Sequence, residues 1–169
     1  SVPFSRFTPH FNRKSLEDAA NAHDFRYVFL GEELGARPED PSCYEDNRVS
    51  YSRISETDLF QQGIERVWRG LGEFRVALMC AEKEPVECHR TLLVAPEFIE
   101  RGAEVWHILE DGSLEAHSLA MDRLRALMGL PEQDLFLSHE ELIAKAAKKQ
   151  EARITHIAEV SEEKDSTGT

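Results

Sequence analysis

Arg75-Val76-Ala77-Leu78-Met79-Cys80 is the stretch on which the reading of the fold turns. An apolar run this short and unbroken predicts a central strand covered on both faces. The chain continues Ala81-Glu82-Lys83-Glu84-Pro85-Val86-Glu87-Cys88-His89-Arg90-Thr91, a charged loop followed by a helical pattern from Val86 to about Arg101. Strand, loop and helix then form one unit of a layered α/β domain. Cys80 ends the strand. Cys88, His89 and Arg90 stand together at the helix N-terminus, where the dipole and free backbone amides favour anions and thiolates. Pro96 lies inside the helical pattern and should kink or split it.

Working outward, Phe25–Leu30 is β-rich and bounded by Asp24 and Gly31, so a second strand is expected there. Ser15-Leu16-Glu17-Asp18 reads as a capping box opening a helix to about His23. Residues 31–54 carry Gly31, Gly35, Pro38 and Pro41, which predicts one long loop. Ser55 is expected to cap a helix to Gly70, with Leu59, Phe60, Ile64, Val67 and Trp68 on one face. Downstream come a strand at Glu104–Leu109, a turn at Asp111-Gly112 and a short extended piece at Leu114–His117. Helices are expected at Leu119–Met128 and from Ser138 to about Ala152. The alternation predicts a mostly parallel sheet with sites at the carboxyl ends of its strands.

The chain has 169 residues, enough for one domain with a real core. Its net charge of −12 opposes broad, sequence-independent binding to nucleic acid. No apolar run is long enough for a membrane helix, and Ser1-Val2-Pro3-Phe4-Ser5-Arg6 has no signal-peptide core. Three cysteines, an odd count without disulfide-rich spacing, suit a reducing, cytoplasmic setting.

The chemistry-bearing candidates are Cys80, Cys88, His89 and Glu82. A thiol in the first turn of a helix beside Arg90 and His89 is a candidate nucleophile, and His89 or Glu82 could move protons. Arg90 suits bidentate contact with phosphate or carboxylate. The order strand, cysteine, loop, arginine is that of thiol phosphatases and sulfurtransferases, with a longer loop here. A zinc site from Cys80, Cys88, His89 and Cys43 has no recognised spacing, and adjacent residues such as Cys88 and His89 seldom reach one ion. No metal ligand is therefore assigned.

Three blocks of the chain resemble the family called domain of unknown function 488. They are Ser1-Val2-Pro3-Phe4-Ser5-Arg6-Phe7-Thr8-Pro9-His10-Phe11-Asn12, then Tyr27-Val28-Phe29-Leu30-Gly31-Glu32-Glu33-Leu34-Gly35-Ala36-Arg37-Pro38, and Ala77-Leu78-Met79-Cys80-Ala81-Glu82 with Cys88-His89-Arg90. The resemblance runs to about His117. It implies a Rossmann-like three-layer α/β domain and no established reaction. Members normally begin with a strand and helix ahead of the first block, so the chain is expected to be truncated relative to the family. Ala36 also stands where glycine is usual.

The domain expectation is thus an α/β domain over 1–117, a helical extension over 118–157 and an acidic, disordered tail over 158–169. The resemblance adds Ser5, Arg6, Asn12 and Arg37 to Arg90 as anion-binding residues converging at one sheet edge. The functional expectation is a pocket for a small anionic ligand, a phosphate or nucleotide, with a reactive cysteine. Alternatives are a non-catalytic domain that senses a nucleotide or nucleic-acid end through structural cysteines, and a metal-binding module. Whether the protein is an enzyme, which cofactor it uses and its oligomeric state stay open at this stage.

Overall fold

A computed structural model describes residues 9–155 and residue 157. Helices dominate: α1 Arg13–Asn21, α2 Tyr51–Ser55, α3 Asp58–Leu71, α4 Ala95–Glu100, α5 His117–Leu127 and α6 His139–Ile154. The strands are short: β1 Tyr44–Glu45, β2 Arg48–Val49, β3 Trp106–Ile108 and β4 Leu114–Ala116. They form two separate antiparallel pairs, β1 with β2 and β3 with β4.

This overturns the expected mostly parallel sheet and the Rossmann-like three-layer domain. Among the described residues, Phe25–Leu30 and Arg75–Cys80 run outside helices and ladders. Phe25, Val28, Val76 and Met79 are exposed. The physical reason is that an apolar run reports hydrophobicity, not a neighbour. A strand becomes part of a sheet only where another backbone meets its N–H and C=O groups.

Where local chemistry is strong, the elements follow it. Thr57, rather than Ser55, caps α3, its Oγ1 accepting from the Phe60 amide at 3.3 Å. Phe60, Ile64 and Val67 on that helix are buried, while Leu59 is exposed. Ser138 opens α6 with a reciprocal capping box: its hydroxyl accepts from the Glu141 amide at 3.2 Å, and Glu141 accepts from the Ser138 amide at 2.6 Å. Asp46 and Asn47 both take positive φ, 48° and 61°, which closes the β1–β2 hairpin in two residues. The expected 15–23 helix instead starts at Arg13, behind Asn12.

Pro96, expected to kink or split its helix, sits in a continuous helical run that is distorted just before it. A 3₁₀ turn spans Pro85–Glu87, a π-helical turn spans Arg90–Val94, and α4 begins with Pro96 in its first turn. The helical backbone runs on from the π-helical turn into α4, and the widened turn just before Pro96 takes up the proline and its missing amide. The Ala95 amide closes the wide turn on the Arg90 carbonyl.

Two apolar clusters make the core. One gathers Leu34, Cys43, Val49, Tyr51, Ile54, Phe60, Ile64, Val67, Leu93, Val94 and Phe98. The other joins Val86 to Ala120, Met121 and Leu124 of α5 and Ala146 of α6. Leu92 packs against both. The segment from Val86 to Val94 is therefore the seam between them, and the conspicuous cysteine–histidine–arginine triplet sits on it. No helix among the described residues is long and apolar enough to cross a membrane.

Candidate metal centre

The ligand-capable atoms of Cys80, Glu82, Cys88 and His89 all lie within 4.8 Å of one another. Cys80 ends its extended segment and donates from Sγ to Glu82 Oε2 at 2.5 Å. Cys88 reaches the same carboxylate oxygen at 3.5 Å. His89 turns Nδ1 toward both sulfurs, 3.5 Å from Cys80 and 3.9 Å from Cys88. Cys88 is buried, Cys80 and His89 are partly covered, and Glu82 is exposed.

The backbone explains how two adjacent side chains converge. Cys88 is extended, with φ −118° and ψ 138°, whereas His89 is right-handed helical, with φ −59° and ψ −23°. A change from extended to helical backbone abolishes the alternation that sends successive strand side chains to opposite faces. This answers the sequence-based objection to Cys88 and His89 sharing one centre.

Arg90 is the bracket. Its guanidinium Nε–H donates to Cys88 Sγ at 3.1 Å, and its two terminal nitrogens donate to the Leu78 and Glu82 carbonyls at 2.9 and 3.1 Å. Its own amide also donates to Cys88 Sγ at 3.4 Å. One side chain thus ties the end of the extended segment to the loop and to the buried sulfur. Donors converging on a sulfur favour thiolate over thiol.

The titration behaviour follows. Hydrogen bonding from Cys80, with His89 and Arg90 beside it, outweighs burial and holds the Cys88 thiol well below its ordinary range. The same hydrogen bond with Cys88 raises Cys80, and burial and Glu82 push it further up. Burial pushes Glu82 up, but hydrogen bonds from Cys80, its own amide and Cys88, together with His89, leave it below the usual carboxylate value. The site thus sets the Cys88 thiolate and the Glu82 carboxylate against the guanidinium of Arg90, with Cys80 held as a thiol.

Among the described residues of the expected anion site, Arg90 and Arg37 are placed apart in role. Arg90 directs all three guanidinium nitrogens at the protein's own atoms. Arg37 lines a cavity of about 60 Å³ with Ala36, Tyr51, Glu82, Glu87, His89 and Ile154. Two carboxylates share that cavity with one guanidinium, which disfavours an anion. Asn12 stands at the head of α1 and is not among the residues lining the cavity. Ser5 and Arg6 lie outside the described residues, as does the 158–169 tail.

Sequence reasoning missed Tyr51, which was assigned to a long loop. Burial, together with the negative groups Glu151, Cys88, Glu82 and Cys80, raises its hydroxyl far above the ordinary tyrosine value. It also missed the supports behind the site. Gln150 Nε2 on α6 donates to the Val86 carbonyl at 2.9 Å. Arg123 on α5 donates to Glu84 at 2.8 Å and to Glu115 at 2.8 and 2.9 Å. No local sequence signal points to such contacts, because the partners are far apart in the chain.

The model of the family described as Domain of unknown function DUF488 matches residues 1–95, more than half of the 169-residue chain. No curated protein and no solved structure matches the chain.

Proposed function

This chain belongs to the DUF488 family, and from that premise we propose that it is a metal-binding domain whose centre is Cys80, Glu82, Cys88 and His89. The observation that carries the reading is the spacing of the donor atoms. A tetrahedral zinc ion bonds sulfur at about 2.3 Å and imidazole nitrogen at about 2.0–2.1 Å, which keeps neighbouring ligand atoms roughly 3.5–3.8 Å apart. The Cys80–His89, Cys88–His89 and Cys88–Glu82 separations of 3.5, 3.9 and 3.5 Å match those edges, while the Cys80–Glu82 contact of 2.5 Å is a thiol–carboxylate hydrogen bond that an ion would have to replace by moving the two apart. Two sulfurs with an imidazole and a carboxylate favour zinc, or iron(II) or cobalt(II), over magnesium or calcium. Arg90 supplies the outer support that such ligands require.

The activated-thiol reading names Cys80 or Cys88; hydrogen bonding and burial push Cys80 up and keep it a thiol, so the reading falls to the lowered Cys88 thiol. It asks Cys88 to attack an external molecule, yet that side chain is fully buried, at 0% exposure. A sulfur in that position suits a ligand better than a nucleophile.

Elemental analysis of protein expressed with added zinc decides the matter. The expected result is about one equivalent of zinc, lost in Cys80→Ser or Cys88→Ser and kept in Cys43→Ser. A wild-type protein that stays folded with less than about a tenth of an equivalent would end the reading.

A further inference from the structure

The four donors are not held alike. Cys88 is buried and receives two N–H donors from Arg90. His89 is fixed by the π-helical turn that follows it, and the segment carrying Cys80 by the Arg90 bond to the Leu78 carbonyl two residues before it. Glu82 alone is exposed, on an irregular loop, and its carboxylate is engaged within the site by the two thiols. The cavity of about 60 Å³ is lined by both Glu82 and His89, so it opens directly onto two of the ligands. A single water needs about 10–15 Å³ of such space, so a small molecule can stand beside the ion.

We infer that the centre is an open one, in which Glu82 is a displaceable ligand and the cavity bounded by Arg37, Tyr51 and Ile154 delivers a small oxygen- or nitrogen-donor molecule, water first, to the ion. This rests on the metal-binding reading above and goes beyond it: a closed four-ligand centre is structural, whereas three protein ligands plus an exchangeable position describe a Lewis-acid centre. Tyr51 and Arg37 line the cavity beside Glu82 and His89 and carry hydrogen-bond donors. Once off the ion, the Glu82 carboxylate remains beside the position it vacated, placed to accept a proton from a bound water.

The test uses the full chain reconstituted with cobalt(II), whose visible bands report coordination, and azide as the probe. The wild type should show a saturable azide-dependent change in those bands. Glu82→Ala should keep about one equivalent of cobalt and bind azide roughly tenfold more tightly, because no protein carboxylate then competes for the position. Ala36→Leu, which fills the cavity without touching a ligand, should keep cobalt and weaken azide by a similar factor, with circular dichroism confirming that it folds. Cobalt bands in the wild type and Glu82→Ala that azide leaves unchanged would overturn the inference while leaving metal binding intact. Loss of cobalt in a folded Glu82→Ala would overturn it too, since Glu82 would then be obligatory. Failure of the folded wild type to bind cobalt at all would instead sink the metal-binding reading, and this one with it.

Discussion

Arg90 shows how much of a site can rest on a residue that is not itself one of its ligands. Its three guanidinium nitrogens reach a sulfur and two carbonyls on separate stretches of chain. Lysine has its three donors on a single nitrogen and no planar fork, so it cannot span the sulfur and both carbonyls as the guanidinium does. Arg90→Lys and Arg90→Met should therefore both weaken zinc binding by about 10–100-fold, as loss of an outer-shell partner does elsewhere. Competition against a chromophoric chelator measures it, and unchanged affinity in both variants would remove Arg90 from the site.

A second residue-scale effect lies away from the centre. His107 Nε2 and His117 Nδ1 stand 3.1 Å apart, so one ring donates and the other accepts. Burial depresses both, and His117 falls to about 4, with the charge of His107 as a further cause. Unfolded, His117 takes up its proton near the ordinary 6.5, and folded only near 4. Between those values the unfolded chain holds the extra proton, so stability falls as pH drops through that window, by roughly 1–3 kcal/mol. Urea unfolding of metal-free protein at both ends of the window should show this slope, and His117→Gln should flatten it. At this scale the sequence was legible for Cys80, Glu82, Cys88 and His89, because chemistry-bearing side chains cluster within ten positions. Tyr51, remote along the chain, offered no such cue.

At the scale of elements, α3 is locked to the loop before it through Gly63. A Cβ added there would stand 2.6 Å from Glu33 Cβ and 2.8 Å from a Leu34 methyl. The first of these is the rigid root of its side chain, so the backbone itself must move. Gly63→Ala should cost about 1–3 kcal/mol despite its better helix propensity, read as a lowered thermal midpoint. A neutral or stabilised variant would mean that the loop carrying Leu34 to Arg37 gives way freely. The helices were readable because capping and 3.6-residue periodicity are local: Ser138 with Glu141 announces α6 within four positions. The sheet was not, because pairing is a property of two segments at once. Arg75–Cys80 has the composition of a buried strand, yet among the described residues it joins no ladder. Of the two hairpins, the one around Asp111-Gly112 was legible as a turn between extended pieces and forms β3–β4, whereas Asp46-Asn47 between β1 and β2 was passed over in favour of a loop.

At the scale of the whole molecule, the family match ends at residue 95, and the last helix lies well beyond it. That helix is nonetheless bonded into the site's surroundings. Gln150 donates to the Val86 carbonyl, Glu151 accepts from the Tyr51 amide at 2.7 Å, and the Ala152 carbonyl accepts from Arg48 at 2.6 Å. Gln150→Leu leaves the buried Val86 carbonyl without its donor and should cost about 1–3 kcal/mol. It should also weaken zinc binding severalfold, because Val86 stands two residues before Cys88. A loss of stability with zinc affinity untouched would separate the two.

The Gln150–Val86 bond makes α6 a splint set against the back of the cysteine turn. Substitutions along that helix can therefore retune the grip on an ion from behind, in a part of the chain where no ligand lies and where a survey of ligand positions alone would see nothing change.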